Sequence, residues 1–97
     1  MSTAPAPRVT LYYSSVAGMV KVRKAQSRIQ DLLAAHKVPY TMIDVAAEED
    51  AKRYMQSKSG TNIIPQIFLD GEYKGTCEAF DEANEYGEAL KWLGLQE

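Results

Sequence analysis

The segment Ile64-Pro65-Gln66-Ile67-Phe68-Leu69-Asp70-Gly71-Glu72-Tyr73-Lys74-Gly75-Thr76-Cys77 carries the sharpest structural signals in the chain. Gln66 to Leu69 is a short β-forming run. Asp70-Gly71 is a two-residue hairpin signal, because both residues tolerate the positive φ of the tight turns that match strand twist. Glu72 to Lys74 should therefore pair back antiparallel. Gly75-Thr76 then turns into a last helix, expected over residues 77–93. Phe80, Ala83, Gly87, Leu90 and Leu93 fall at helical spacing on its buried side.

Upstream the chain alternates strand and helix patterns. Residues 8–13 place Val9, Leu11 and Tyr13 on one face of a strand. Tyr12, on the other face, is also buried if the strand is central and covered on both sides. From Val20 to His36 the apolar residues Val22, Ala25, Ile29, Leu32 and Leu33 repeat at helical spacing. Val38-Pro39 ends that helix and leads into a strand over 40–45. Glu48, Glu49 and Asp50 open a second helix, with Ala51, Tyr54 and Met55 inward and Ser59-Gly60 closing it. The order is β-α-β-α-β-β-α. A helix between the first two strands makes them parallel, and the hairpin adds an antiparallel pair. The fold class is α/β: a four-stranded mixed sheet with three helices, the thioredoxin-like layout.

Composition narrows the function. At 97 residues with 45% hydrophobic and 25% charged residues, the chain forms one domain, expected over 8–97 behind a flexible tail at 1–7. The single cysteine, Cys77, and single histidine, His36, exclude an internal disulfide, a Cys-x-x-Cys redox pair and a Cys/His metal cluster. The formal net charge of −2 is divided unevenly. Residues 1–30 carry +5, residues 31–69 carry −1 and residues 70–97 carry −6. An acidic balance disfavours nucleic acid as a partner. No apolar run approaches the ~20 residues that span a bilayer, and the first residues lack a signal-peptide pattern. A cytoplasmic location is expected.

The segment from Ile64 to Cys77 resembles the glutaredoxin stretch in which a cis-proline precedes the third strand and a Gly-rich turn follows the fourth. With the strand–helix order, the resemblance covers residues 8–93. The small size, the Pro65-Gln66-Ile67-Phe68 core, the missing active-site cysteine and the ending Ala89-Leu90-Lys91-Trp92-Leu93-Gly94-Leu95 are similar to the SH3-binding glutamic acid-rich-like proteins. These form a glutaredoxin-related family without the redox motif. That family often has a proline-rich stretch before Gln-Ile-Phe. The corresponding stretch here, Asn62-Ile63-Ile64-Pro65, has one proline.

The resemblance implies where a thiolate would stand: after the first strand, at the start of the first helix. Here that stretch reads Ser14-Ser15-Val16-Ala17-Gly18-Met19-Val20. A serine hydroxyl hardly ionises without a general base. Cys77 starts the last helix, where a thiol pKa can fall. In glutaredoxins the residue pair matching Cys77 and Glu78 helps hold glutathione. The bland reading is that Cys77 is a half-buried small residue filling a turn. Pro65 is either a trans proline opening a strand or, as the resemblance implies, a cis proline that leaves the Ile64 backbone to an extended ligand. Ile64, Pro65, Gly75, Thr76, Cys77 and Glu78 are therefore the candidate peptide or glutathione cleft.

Lys21, Arg23, Lys24 and Arg28 are a candidate basic face for a partner, or simply a solvated helix face. Asp81, Glu82, Glu85 and Glu88 have the same two readings. No catalytic residue and no metal ligand is assigned. Two functions compete: a non-catalytic adaptor or regulator that binds protein, and a residual glutathione-binding or thiol-transfer protein using Cys77 and the Pro65 cleft. No cofactor is expected apart from glutathione in the second case. The expected partner is a protein, with the chain a monomer or weak homo-oligomer.

Overall fold

The computed structural model describes residues 7–95. Of the tail expected over 1–7, all but Pro7 lies outside the described residues. Four strands and four helices follow one another: β1 (Val9–Tyr13), α1 (Val20–Ala35), β2 (Tyr40–Asp44), α2 (Glu49–Ser59), β3 (Gln66–Leu69), β4 (Glu72–Thr76), α3 (Cys77–Glu85) and α4 (Ala89–Leu93). The strands form one sheet in the order β2-β1-β3-β4. β1 pairs parallel with β2 and antiparallel with β3, and β3 pairs antiparallel with β4. This is the mixed α/β sheet that the sequence implies.

Both central strands are covered on two faces. Val9, Leu11 and Ile67 pack with Ile29, Leu32 and Leu33 of α1, Phe80 of α3, and Ala89 and Leu93 of α4. Tyr12 and Phe68 point the other way and pack with Met55 of α2 and with Val45. Phe68 is fully buried, with the rings of Tyr12 and Tyr73 edge-on at 4.7 and 5.7 Å between centroids. Tyr13, expected inward with Val9 and Leu11, is half-buried, while Tyr12 is buried. Coverage on both faces overrides the alternation rule.

The Asp70-Gly71 hairpin closes with φ of 51° and 84°, the positive pair of a type I′ turn. Tyr54 of α2, expected in the core, is 40% exposed; its hydroxyl donates to Gly71 O at 2.6 Å and ties α2 to this turn. Helix α1 ends with Lys37 at φ 56°, its amide donating to Ala34 O and that of Val38 to Leu33 O. That is a Schellman closure with lysine where glycine is usual.

The single C-terminal helix expected over 77–93 is two helices, α3 and α4, so the sheet carries four helices and not three. Gly87, expected on a buried face, is exposed at φ 71°. Its amide donates to Asn84 O, and that of Glu88 donates to Ala83 O. Glycine at this C-terminal position stops α3. The break lets α4 fold back so that Trp92 stacks on Phe80 at 5.4 Å. Trp92 thus anchors the C-terminal region.

A Cβ on buried Gly75 would lie 2.8 Å from Trp92 Cζ2 and 3.3 Å from Ala79 Cβ, so β4 and α4 need glycine there. Gly75→Val should cost about 1–3 kcal/mol in urea unfolding, through overpacking. An unchanged midpoint would show that Trp92 moves away freely.

Candidate functional site

Three segments converge at one end of the sheet. The Ile64–Pro65 bond is cis. Lys21, Val22 and Ala25 come from the first turns of α1, Ile63, Ile64 and Pro65 from the loop before β3, and Thr76, Cys77 and Glu78 from the β4–α3 junction. Together they line a cleft of about 340 Å³. Of the candidate cleft residues, Ile64, Pro65, Thr76, Cys77 and Glu78 meet here, and Lys21 joins them from the basic run. Gly75 does not line the cleft; it is buried under Trp92.

The rest of the basic run is divided. Arg23 donates to Ala17 O at 3.0 Å and to Gly18 O at 3.1 Å, and Arg28 pairs with Asp81 at 2.9 Å, joining α1 to α3. These two arginines serve the fold. Lys24 is exposed and lies outside the cleft lining.

The loop between β1 and α1 is held by side chains from elsewhere in the chain. Gln26 is buried in α1; its Oε1 accepts from Ser14 N at 2.8 Å and its Nε2 donates to Ser14 O at 3.2 Å. Asp44, at the end of β2, accepts from Ser15 N and Ala46 N, each at 3.0 Å. The Ser15 hydrogen bonds hold the Asp44 carboxyl below its usual pKa. A buried polar side chain needs partners, and Gln26 finds both in this loop. Neither Gln26 nor Asp44 stood out in the sequence, because their partners lie 12 and 29 residues away.

On the far side of the cleft, Gln66 has no exposed surface. Its Nε2 donates to Ile63 O at 2.7 Å and Thr61 O at 3.1 Å, so it staples the loop that presents Ile63 and Ile64. Among the described residues its Oε1 is buried without a partner. An unpaired buried acceptor costs about 1–3 kcal/mol, set here against two hydrogen bonds that shape the loop. The staple leaves Ile63 61% exposed. Val16, Met19 and Val20, where the resemblance places a thiol, are 74%, 65% and 54% exposed.

Cys77 is half-buried at the start of α3. Burial pushes its thiol above the ordinary pKa; Asp81 adds to the rise, Arg28 opposes it, and Glu78 adds again. Desolvation and the two carboxylates outweigh the guanidinium. The lowered pKa that the position alone implied is therefore not found, and the neutral thiol is a poor nucleophile at neutral pH. Among the described residues, no group of three His, Cys, Asp or Glu side chains is placed to hold a metal ion. No helix among them is long and apolar enough to cross a membrane.

Alkylation by iodoacetamide reads the thiolate. Because the pKa is raised, the Cys77 rate should climb with pH through a midpoint above the ~8.5 of an unperturbed cysteine. A midpoint below that of a free cysteine peptide in the same assay would contradict this geometry.

Comparison with known proteins places these observations. Residues 8–96 match the family described as SH3-binding, glutamic acid-rich protein. The SH3 domain-binding glutamic acid-rich protein homolog of Drosophila melanogaster is 34% identical over 89 residues, covering 77% of this chain and 56% of that protein. The chain thus spans little more than half the length of this curated relative. Among solved structures, the actin interacting protein Aip5 of C. albicans superposes with a TM-score of 0.77 at 20% identity, over 90% of this chain and 88% of that one. Buckwheat glutaredoxin in complex with glutathione superposes with a TM-score of 0.70 at 19% identity, over 91% and 77%. At such identities the likeness shows a shared glutaredoxin-like fold. The family match, which spans the whole sheet, is more specific: the chain belongs to the SH3-binding, glutamic acid-rich protein family.

Proposed function

We propose that the chain is a non-catalytic glutaredoxin-like adaptor or regulator that binds a protein partner at the cleft around Ile64 and Pro65. One observation carries this reading. The stretch where a redox nucleophile would stand displays apolar side chains and no thiol. Val16, Met19, Val20 and Ile63 are each more than half exposed. Ile63 lines that cleft, while Val16, Met19 and Val20 lie outside its lining, and exposed apolar side chains of this kind support an interaction surface. The family description names SH3 binding, and one structural neighbour is named for its interaction with actin. Both names fit a protein ligand. The single proline of Asn62-Ile63-Ile64-Pro65 does not supply a Pro-x-x-Pro motif, so that stretch offers no polyproline ligand to an SH3 domain. The partner surface includes Lys21 and Lys24, and the chain acts in the cytoplasm as a monomer or weak homo-oligomer.

A second reading keeps a small ligand. Thr76, Cys77 and Glu78 face Ile64 and Pro65 across the cleft, in the arrangement expected of a glutathione or thiol-transfer site. The raised thiol pKa opposes transfer but leaves binding open to test. Two assays separate the readings. In the first, turnover of a glutathione mixed disulfide should equal that of Cys77→Ser, and a turnover that Cys77→Ser abolishes would contradict the adaptor reading. In the second, a photo-crosslinker replaces Ile63 in the full chain. It should capture a discrete polypeptide, and Lys21→Glu combined with Lys24→Glu should cut the yield about tenfold. Amide shifts at Ile64, Gln66 and Cys77 on glutathione titration, with no polypeptide captured, would favour the second reading.

A further inference from the structure

Among the described residues, the buried polar side chains are Ser14, Gln26 and Gln66. Ser14 follows β1, Gln66 opens β3, and Gln26 reaches Ser14 from α1. Gln26 is satisfied, since both polar atoms of its amide pair with the Ser14 backbone. Gln66 is not. It has no exposed surface, and among the described residues its Oε1 meets no donor. A buried polar atom without a partner opposes folding, so the reason for this side chain lies outside stability.

The other half of the same amide supplies that reason. Nε2 donates to Ile63 O at 2.7 Å and to Thr61 O at 3.1 Å. The Gln66 backbone is fixed inside the sheet, opposite Tyr12 of β1 and Thr76 of β4. The amide therefore ties the loop before β3 to the sheet, and that loop brings Ile63, Ile64 and Pro65 to the cleft. The remaining side-chain bonds of the loop are local or run to α2. Ser59 Oγ donates to Met55 O and Thr61 O, and Ile63 N donates to Thr61 Oγ1. Among the described residues, the side-chain hydrogen bonds that join 61–63 to a strand are those of Gln66.

We infer that Gln66 is a positioning residue for partner binding: its amide holds Ile63 and Ile64 in the cleft wall, at a cost in stability and without touching the partner. The inference rests on the adaptor reading and names the residue that sets the shape of that same site. Gln66→Met separates shape from stability. Methionine is unbranched and close in volume, and it removes the unpartnered acceptor. Thr61 O keeps the Ser59 hydroxyl, and Ile63, 61% exposed, can turn its carbonyl to water. The fold loses little, while the loop loses its tie to β3.

Three readouts on the full chain carrying Gln66→Met test this. The urea midpoint should stay where it is or rise. Backbone order parameters at Asn62, Ile63 and Ile64 should fall, with those of Ile67 and Phe68 unchanged. Capture of a polypeptide by a photo-crosslinker at position 78, on the opposite wall of the cleft, should drop about fivefold. Capture that Gln66→Met leaves unchanged would overturn the inference. So would a urea midpoint that falls, because the amide would then serve the fold alone. Capture at position 63 but not at 78 in the otherwise wild-type chain would also overturn it, since the occupant would not lie between the two walls. Each of these leaves the adaptor reading standing, whereas capture at neither position would overturn that reading and this inference with it.

Discussion

Strand β1 sits between a parallel and an antiparallel neighbour, with helices over both faces, and the rest of the molecule is arranged to keep it dry. Val9 and Leu11 are no more than 1% exposed, and Tyr12 is 6% exposed. The parallel pairing with β2 requires the long crossover through α1, and the antiparallel pairing with β3 requires the hairpin that follows. Because both faces are buried, a one-residue slip in register would exchange Leu11 and Tyr12 between two differently shaped clusters. The sheet end where β1 and β3 emerge, at Ser14 and Gln66, is where buried backbone polar groups must find partners outside the ladders. Gln26, Asp44 and Gln66 meet that demand, and in doing so they shape the cleft.

The loops of the site are therefore a by-product of sheet burial. A glutaredoxin-like scaffold supplies a loop after β1, a cis-proline loop before β3 and a helix start after β4. Thiol chemistry needs a thiolate stabilised among them; here the loop after β1 has no cysteine, and burial and carboxylates raise the Cys77 pKa. What the scaffold retains is a concave surface with apolar edges and lysines that, among the described residues, belong to none of the ion pairs. Such a surface favours an extended polypeptide through shape and charge, without covalent chemistry.

Much of the fold is legible in local signals. Asp70-Gly71, Ser59-Gly60, the alternation in 8–13 and the helical spacing in 20–36 each depend on neighbours a few residues apart, and each element stands within a residue or two of its expected bounds. The misreadings share a cause. Gly87 fits the helical period and was expected on the buried face, yet its positive φ ends α3. Lys37 takes a position that usually signals itself as glycine. Tyr54, expected inward, is 40% exposed. Among the site residues, the convergence of Lys21 with Pro65 and Cys77, and the roles of Gln26 and Asp44, depend on contacts between distant segments that no local pattern encodes.

The central claim is that partner binding at this cleft has been separated from thiol chemistry. The most direct measurement compares the polypeptide captured by a photo-crosslinker at position 63 in the otherwise wild-type chain and in Cys77→Ser, each with and without a reductant. The account predicts one yield under all four conditions, since the thiol is only part of the cleft wall. A yield that falls in Cys77→Ser, or capture that is lost only when reductant is added, would contradict it.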